Sequence, residues 1–257
     1  MLGGSLYVVS DVHGHHEELV SELQAAGLID RSSRWAGGRD ALWFLGDYVD
    51  RGPDGLAVID LVMSLQVQAA AAGGHVGALL GNHEIQFLAA DRFGTTPLPG
   101  WSDPKGAYGT WLRWGGLPAD LDGLTDDHRA WLYGLPAVAL VGDHLLLHSD
   151  TIGYLGLGAS VDDVNAAVAE QLRSDAAVVW QTLAMRLSRR QEFRGSAGRE
   201  AARDVLAALG GRAIVHGHST IPEFFGGEGP VVYAGGLVTA VDGGSYNGGR
   251  VLVVRLG

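Results

Sequence analysis

The 257-residue sequence contains no cysteine. That absence removes disulfides, thiolate metal sites and cysteine nucleophiles together, so a bound metal must be held by His, Asp, Glu and Asn. Positive charge is scarce as well: 18 Lys and Arg face 29 Asp and Glu, for a formal net charge of -11. This balance opposes non-specific contact with nucleic acid or an anionic membrane, and neither is expected as a partner. No basic run precedes an apolar core at the start, and no stretch approaches the roughly 18 uninterrupted apolar residues of a membrane span. The apolar segment 133–147 is broken by Gly134, Pro136, Gly142, Asp143 and His144. A cytoplasmic protein is therefore expected. The composition that remains is globular, 47% hydrophobic and 18% charged, at a length that α/β folds routinely use for one domain. A single domain over 1–257 follows.

Along the chain, the apolar run Leu6-Tyr7-Val8-Val9 ends at Ser10-Asp11 and precedes a helical pattern near 16–26, with Leu19, Val20 and Leu23 at 3,4 spacing. The same strand, polar turn and helix recur at 41–45, 46–55 and 56–71, and again at 75–80, 81–84 and from 85 onward. Each polar cluster thus falls at the carboxyl end of a strand, where open α/β sheets place ligands. The segment 91–134 differs, with Pro97, Pro99, Pro104 and Trp101, Trp111, Trp114 and Trp131, and reads as an inserted cap. Trp111 and Trp114 are expected to pack a small core of that cap, and Trp101 to line a groove. Later strands are expected at 137–141, 144–147, 213–216, 231–234, 237–241 and 251–255, and helices at 161–173, 176–190 and 198–209. Those late strands imply a second, mixed or antiparallel sheet, with a Gly-rich hairpin joining the last two.

Five clusters carry the chemistry: Asp11-Val12-His13-Gly14, Gly46-Asp47-Tyr48-Val49-Asp50-Arg51-Gly52, Gly81-Asn82-His83-Glu84, His148-Ser149-Asp150 and His216-Gly217-His218-Ser219. Their order and wording resemble the phosphoprotein phosphatase family of the calcineurin-like metallophosphoesterase superfamily, of the bacterial serine/threonine protein phosphatase type. The resemblance implies a two-sheet β-sandwich flanked by helices, an α/β (α+β) fold with the small cap inserted. Where many metallophosphoesterases end in G-H-x-H, Thr220 stands in place of the second His, which favours the phosphoprotein phosphatase branch. The tail Ala240-Val241-Asp242-Gly243-Gly244 with Gly248-Gly249-Arg250 resembles both bacterial protein phosphatases and dinucleoside tetraphosphatases. There Asp242 is a candidate partner for a ligating His.

Beside that resemblance, the donors have a physical reading. Asp11 and His13, two residues apart in an extended turn, can bind one divalent ion. Asp47 has two carboxylate oxygens and can bridge to a second ion roughly 3.5–4 Å away, whose shell Asn82, His148 and His218 complete with neutral atoms. Two divalent ions against two carboxylates leave the site near about +2, which attracts a phosphate and acidifies water enough to supply a metal-bound hydroxide for in-line attack. The ligand types admit Mn, Fe and Zn, and the resemblance implies Mn. It also implies His83 as general acid with Asp50 as its hydrogen-bonded partner, and Arg51 as a phosphate clamp. A second phosphate-binding arginine is expected between the last two histidines, where Arg186, Arg189, Arg190 and Arg194 occur. Arg194 is favoured because Phe193-Arg194-Gly195 leaves a helix. His216 is expected to mark a strand end. The expected activity is hydrolysis of phosphoserine or phosphothreonine in proteins, or of small phosphoesters. The alternatives are a dinucleoside tetraphosphate hydrolase and a non-catalytic metal-binding scaffold. A scaffold would have no use for His83, Asp50 and Arg51.

Overall fold

The computed structural model describes residues 3–97 and 103–257; Trp101 lies outside them. Nine strands and ten α-helices occur among the described residues. β1 (Leu6–Val9), α1 (His16–Ala25), β2 (Ala41–Phe44), α2 (Gly55–Ala72), β3 (His75–Ala78) and α3 (Asn82–Phe93) form the first half. The short helices α4 (Gly106–Arg113), α5 (Pro118–Gly123) and α6 (Asp126–Tyr133) lead to β4 (Val138–Val141) and β5 (His144–Leu147). Then come α7 (Val161–Gln171), α8 (Ala177–Leu187), α9 (Gly195–Leu209), β6 (Ala213–His216), α10 (Ile221–Phe224), β7 (Val231–Tyr233), β8 (Val238–Ala240) and β9 (Val254–Leu256).

Two sheets result, one ordered β3-β2-β1-β9 and the other β4-β5-β6-β8-β7. The side-chain period of two decides what lies between them. Val8, Leu146 and Val215 share a buried cluster with Leu6, Ala41, Leu79, Ala139 and Val241, drawn from both sheets. Their neighbours Val9, Leu145, Leu147 and Ile214 belong instead to the larger cluster built with the helices. The fold is therefore a two-sheet sandwich with helices on its outer faces, as the sequence leads one to expect. Helix α2 is 18 residues long and apolar enough to meet the length criterion for a membrane span, but Val58, Ile59, Val62, Leu65 and Ala69 bury one face in this core.

Two expectations change. The last two strands form no hairpin: β8 pairs with β6 and β7, whereas β9 crosses over and lies antiparallel to β1. Local Gly-rich turn chemistry suggested a hairpin, but the edge of β1 was the open partner. Trp111 does not serve a separate cap core either, since it is fully buried in the main cluster with Phe87 and Leu88 of α3.

Candidate metal centre

The six residues expected to hold metal follow five different strands: Asp11 and His13 come after β1, Asp47 after β2, Asn82 after β3, His148 after β5 and His218 after β6. Parallel pairing of β1, β2 and β3, and of β5 and β6, brings their carboxyl ends to one side of each sheet. Crossed bonds join the two sheets there: His148 Nδ1 to Leu45 O at 2.9 Å, and His218 N to Asp11 Oδ2 at 2.9 Å. Approach is so close that a Cβ on Gly217 would lie 1.6 Å from Ser10 Oγ, and one on Gly81 would lie 2.2 Å from Asp47 Oδ1. Those two glycines are steric requirements of the site.

Backbone strain gathers at the same place. Asp11, His13, Asp47, Asp50, Arg51 and His218 all have φ between 46° and 71°, a region that costs L-residues of order 1 kcal/mol each and persists where function over-determines it. Glu84 is one of the groups that hold these turns. Buried at the third position of α3, it accepts from Gly81 N at 2.9 Å, Asp47 N at 2.8 Å and Tyr48 N at 2.8 Å. Burial raises its carboxyl to about 7, against the three N–H donors that pull it down.

Ligand atoms of Asp11, Asp47, His148 and His218 lie within 4.8 Å of one another, as do those of His13, Asp47 and His83. Asp47 belongs to both groups, with Oδ2 3.5 Å from His13 Nε2 and Oδ1 3.4 Å from His148 Nε2. Asn82 Oδ1 is 2.8 Å from His148 Nε2. The other ring nitrogens settle which atoms face inward. His13 Nδ1 donates to Val49 O at 2.9 Å and His148 Nδ1 to Leu45 O, which leaves each Nε2 with a lone pair. His218 Nε2 donates to Ser188 O at 3.0 Å, which leaves its Nδ1.

The donor set fits divalent ions. Burial, and then the neighbouring His83 and Arg51, hold His13 well below the usual histidine range, and burial lowers His148 and His218 as well, so the imidazoles are neutral. Burial and the charge of Asp11 push Asp47 well above the usual carboxylate range. Asp242, also buried beside Asp11, is raised for the same two reasons, and its Oδ2 has no hydrogen-bond partner. Crowded lone pairs and carboxylates in a water-poor site require a compensating cation. Asp242 Oδ1 accepts from Gly244 N at 2.8 Å.

Beside these atoms lies a cavity of about 360 Å³ lined by Arg51, Asn82, His83, Trp114, Ser188, Arg190 and His218. His83 Nδ1 meets Asp50 Oδ2 at 2.6 Å, and both side chains are buried. The other oxygen of Asp50 accepts from Trp111 Nε1 at 2.7 Å. Burial raises the Asp50 carboxyl to about 8, moderated by the Trp111 bond and the Arg51 charge, and lowers His83. One short hydrogen bond joins the two groups. Arg51 Nη1 and Nη2 each lie 2.9 Å from a ring nitrogen, Nε2 of His13 and of His83 respectively. Its guanidinium lies 3.8 Å above the centre of the Tyr246 ring.

Arg194 is corrected by the structure. It is exposed, bonds Gln191 Oε1 at 3.0 Å and stacks over Phe225, as the residue that precedes α9. Arg190 is the arginine of that interval in the cavity, with Nη2 3.0 Å from His218 Nε2. The chain turns at Gln191, so position 194 points away. Sequence reasoning also missed Tyr246, which stacks edge-on against His13 with centroids 4.9 Å apart. His216 ends β6, as expected, and meets the Tyr233 hydroxyl at 2.7 Å.

A family model for calcineurin-like phosphoesterases matches residues 4–222. The chain belongs to that family. Its motif wording resembles that of the phosphoprotein phosphatases. Over 86 residues it is 37% identical to Shewanella-like protein phosphatase 2 of Arabidopsis thaliana, a match that takes in 34% of this chain and 22% of that one. Over 85 residues it is 40% identical to a symmetrical bis(5'-nucleosyl)-tetraphosphatase of Cronobacter sakazakii, covering 33% and 25%. The chain thus aligns with about a quarter of the length of these relatives. Among solved structures, a cold-active protein tyrosine phosphatase superposes with a TM-score of 0.73 at 23% identity, covering 98% of this chain and 74% of that one. A protein serine/threonine phosphatase of Saccharomyces cerevisiae gives 0.57 at 16% identity, covering 100% and 80%. These superpositions show the shared fold. The family's fold here carries a buried Asp/His cluster suited to divalent metal ions.

Proposed function

We propose that the protein hydrolyses phosphate monoesters on serine or threonine side chains of proteins, with two metal ions, Mn²⁺ by preference, held by Asp11, His13, Asp47, Asn82, His148 and His218. When bound, such a pair polarises phosphoryl oxygens and makes water acidic enough to serve as nucleophile near neutral pH. The chain's own residues do the rest. Arg51 and Arg190 face the same cavity and bind the phosphate oxygens, to which a planar guanidinium is matched in geometry. His83 carries a proton at Nε2 to the departing alkoxide, while Asp50 on Nδ1 sets the ring orientation and supports the charge. Trp111 fixes Asp50 in turn.

The observation that carries this reading is the buried His83–Asp50 pair opening, with Arg51 and Arg190, onto one cavity. A passive metal scaffold has no use for it. The choice of a protein substrate over a dinucleoside polyphosphate rests on the adjoining groove. A second cavity, of about 610 Å³, shares Trp114 and Ser188 with the first and is further lined by Gln86, Thr110, Arg113, Gln181, Ala184 and Met185. Among the described residues that line it, Arg113 alone brings positive charge, and Asp103 lies 3.2 Å from its Nε. Such a surface suits a peptide better than a chain of four phosphates. With Mn²⁺, kcat/KM for a phosphoserine or phosphothreonine peptide is expected to exceed that for diadenosine tetraphosphate. The opposite order by tenfold, about 1.4 kcal/mol of differential transition-state binding, would overturn the proposal.

A further inference from the structure

Asp150 follows His148 by two residues, and neither metal binding nor proton transfer uses it. It is fully buried, yet its carboxylate joins two separate segments of the site. Oδ1 accepts from Ser219 Oγ at 2.6 Å, directly after His218. Oδ2 accepts from Gln191 N at 2.8 Å, directly after Arg190. The Asp150 carbonyl also accepts from Glu192 N at 3.0 Å. Gln191 has φ of 65°, a left-handed conformation that a residue with a side chain keeps only where its surroundings hold it. Those surroundings are residues 150–152, because Glu192 Oε2 also accepts from Thr151 Oγ1 at 2.6 Å and from Ile152 N at 2.7 Å. On one side of this turn Arg190 lines the cavity, and on the other Arg194 is exposed.

We propose that Asp150 is a positioning residue for phosphate binding: it locks the turn at Gln191 so that Arg190 is presented to the substrate phosphate beside His218. The proposal rests on the reading of Arg190 as a phosphate ligand. An amide at this position keeps one acceptor oxygen for the two donors, and its N–H group would face either Gln191 N, which cannot accept, or Ser219 Oγ, which would have to turn its own hydrogen elsewhere.

The test is the inhibition constant of inorganic phosphate against p-nitrophenyl phosphate hydrolysis, with Tm and metal content measured in parallel. Arg190→Ala is expected to raise that constant about tenfold or more, the scale of a charge-assisted hydrogen bond. No change in this variant would refute the phosphate role of Arg190 itself. With Arg190→Ala behaving as expected, Asp150→Asn should raise the constant several-fold while two metals stay bound. The double variant should be no weaker than Arg190→Ala. Adding Gln191→Gly to Asp150→Asn should recover part of the loss, because glycine adopts φ of 65° without strain. An unchanged constant in Asp150→Asn, or losses that multiply in the double variant, would overturn the positioning role. Asp150→Ser provides a second, smaller neutral replacement with the same expectation, and failure of both variants to fold would count against the proposal in favour of a purely structural Asp150.

Discussion

Trp111 Nε1 donates to Asp50 Oδ1 at 2.7 Å, across 61 positions of sequence, with both side chains buried. Helix α4 thus holds Asp50, the residue hydrogen-bonded to His83. Trp111→Phe removes the donor and strands one oxygen of a buried carboxyl, at a cost of about 1–3 kcal/mol in stability. The Trp111 bond holds the Asp50 carboxyl down, so its loss moves that group further up from about 8. Any limb of the kcat profile governed by Asp50 should therefore shift to higher pH, with kcat for alkyl phosphates falling roughly tenfold. A profile unchanged in position would place Trp111 in packing alone.

His83→Asn should leave metal content intact and lower kcat by roughly 10²–10⁴ for a phosphoserine peptide, the usual size of a general-acid contribution. The loss should shrink for p-nitrophenyl phosphate, whose leaving group needs little protonation. Equal losses on the two substrates would argue against proton donation by His83.

Asp120, at the third position of α5, is buried with one unpartnered oxygen, and burial together with the Asp50 charge raises its carboxyl to about 6. The folded value lies above the unfolded one of about 3.9. Its favourable contribution is accordingly complete below about pH 4 and lost as pH rises through about 6. Asp120→Asn should leave stability nearly unchanged at pH 4 and raise it by about 1–3 kcal/mol at pH 8. Urea unfolding at the two pH values measures this, and a difference independent of pH would contradict it.

Much of this site is legible in the sequence because the motifs are local. Asp11 and His13, Asp47 and Asp50, and Asn82 and His83 each sit in a short turn after an apolar strand, and parallel pairing alone makes the turns converge. What escapes is set by long-range partners. The ring of Tyr246, on the segment between β8 and β9, meets His13 from the opposite end of the chain. Trp111 reads as a packing residue until its indole nitrogen is seen on Asp50. Arg194 does not leave a helix as the sequence suggests but precedes α9, and the left-handed turn at Gln191, one residue after Arg190, is held by a bond to Asp150 that no local pattern encodes.

The central claim is a centre that binds two divalent ions through Asp47 as a shared ligand, and titration of metal-free protein with Mn²⁺ tests it most directly. Wild-type protein should bind two equivalents, gain thermal stability with each in proportion to RT ln(1 + [L]/Kd), about 2.7 kcal/mol at a hundredfold excess over Kd, and reach full phosphatase activity only at the second. Asp47→Asn should bind neither ion tightly and show no activity. One equivalent sufficing for full activity, or two tightly held metals with near-normal turnover in Asp47→Asn, would contradict the account.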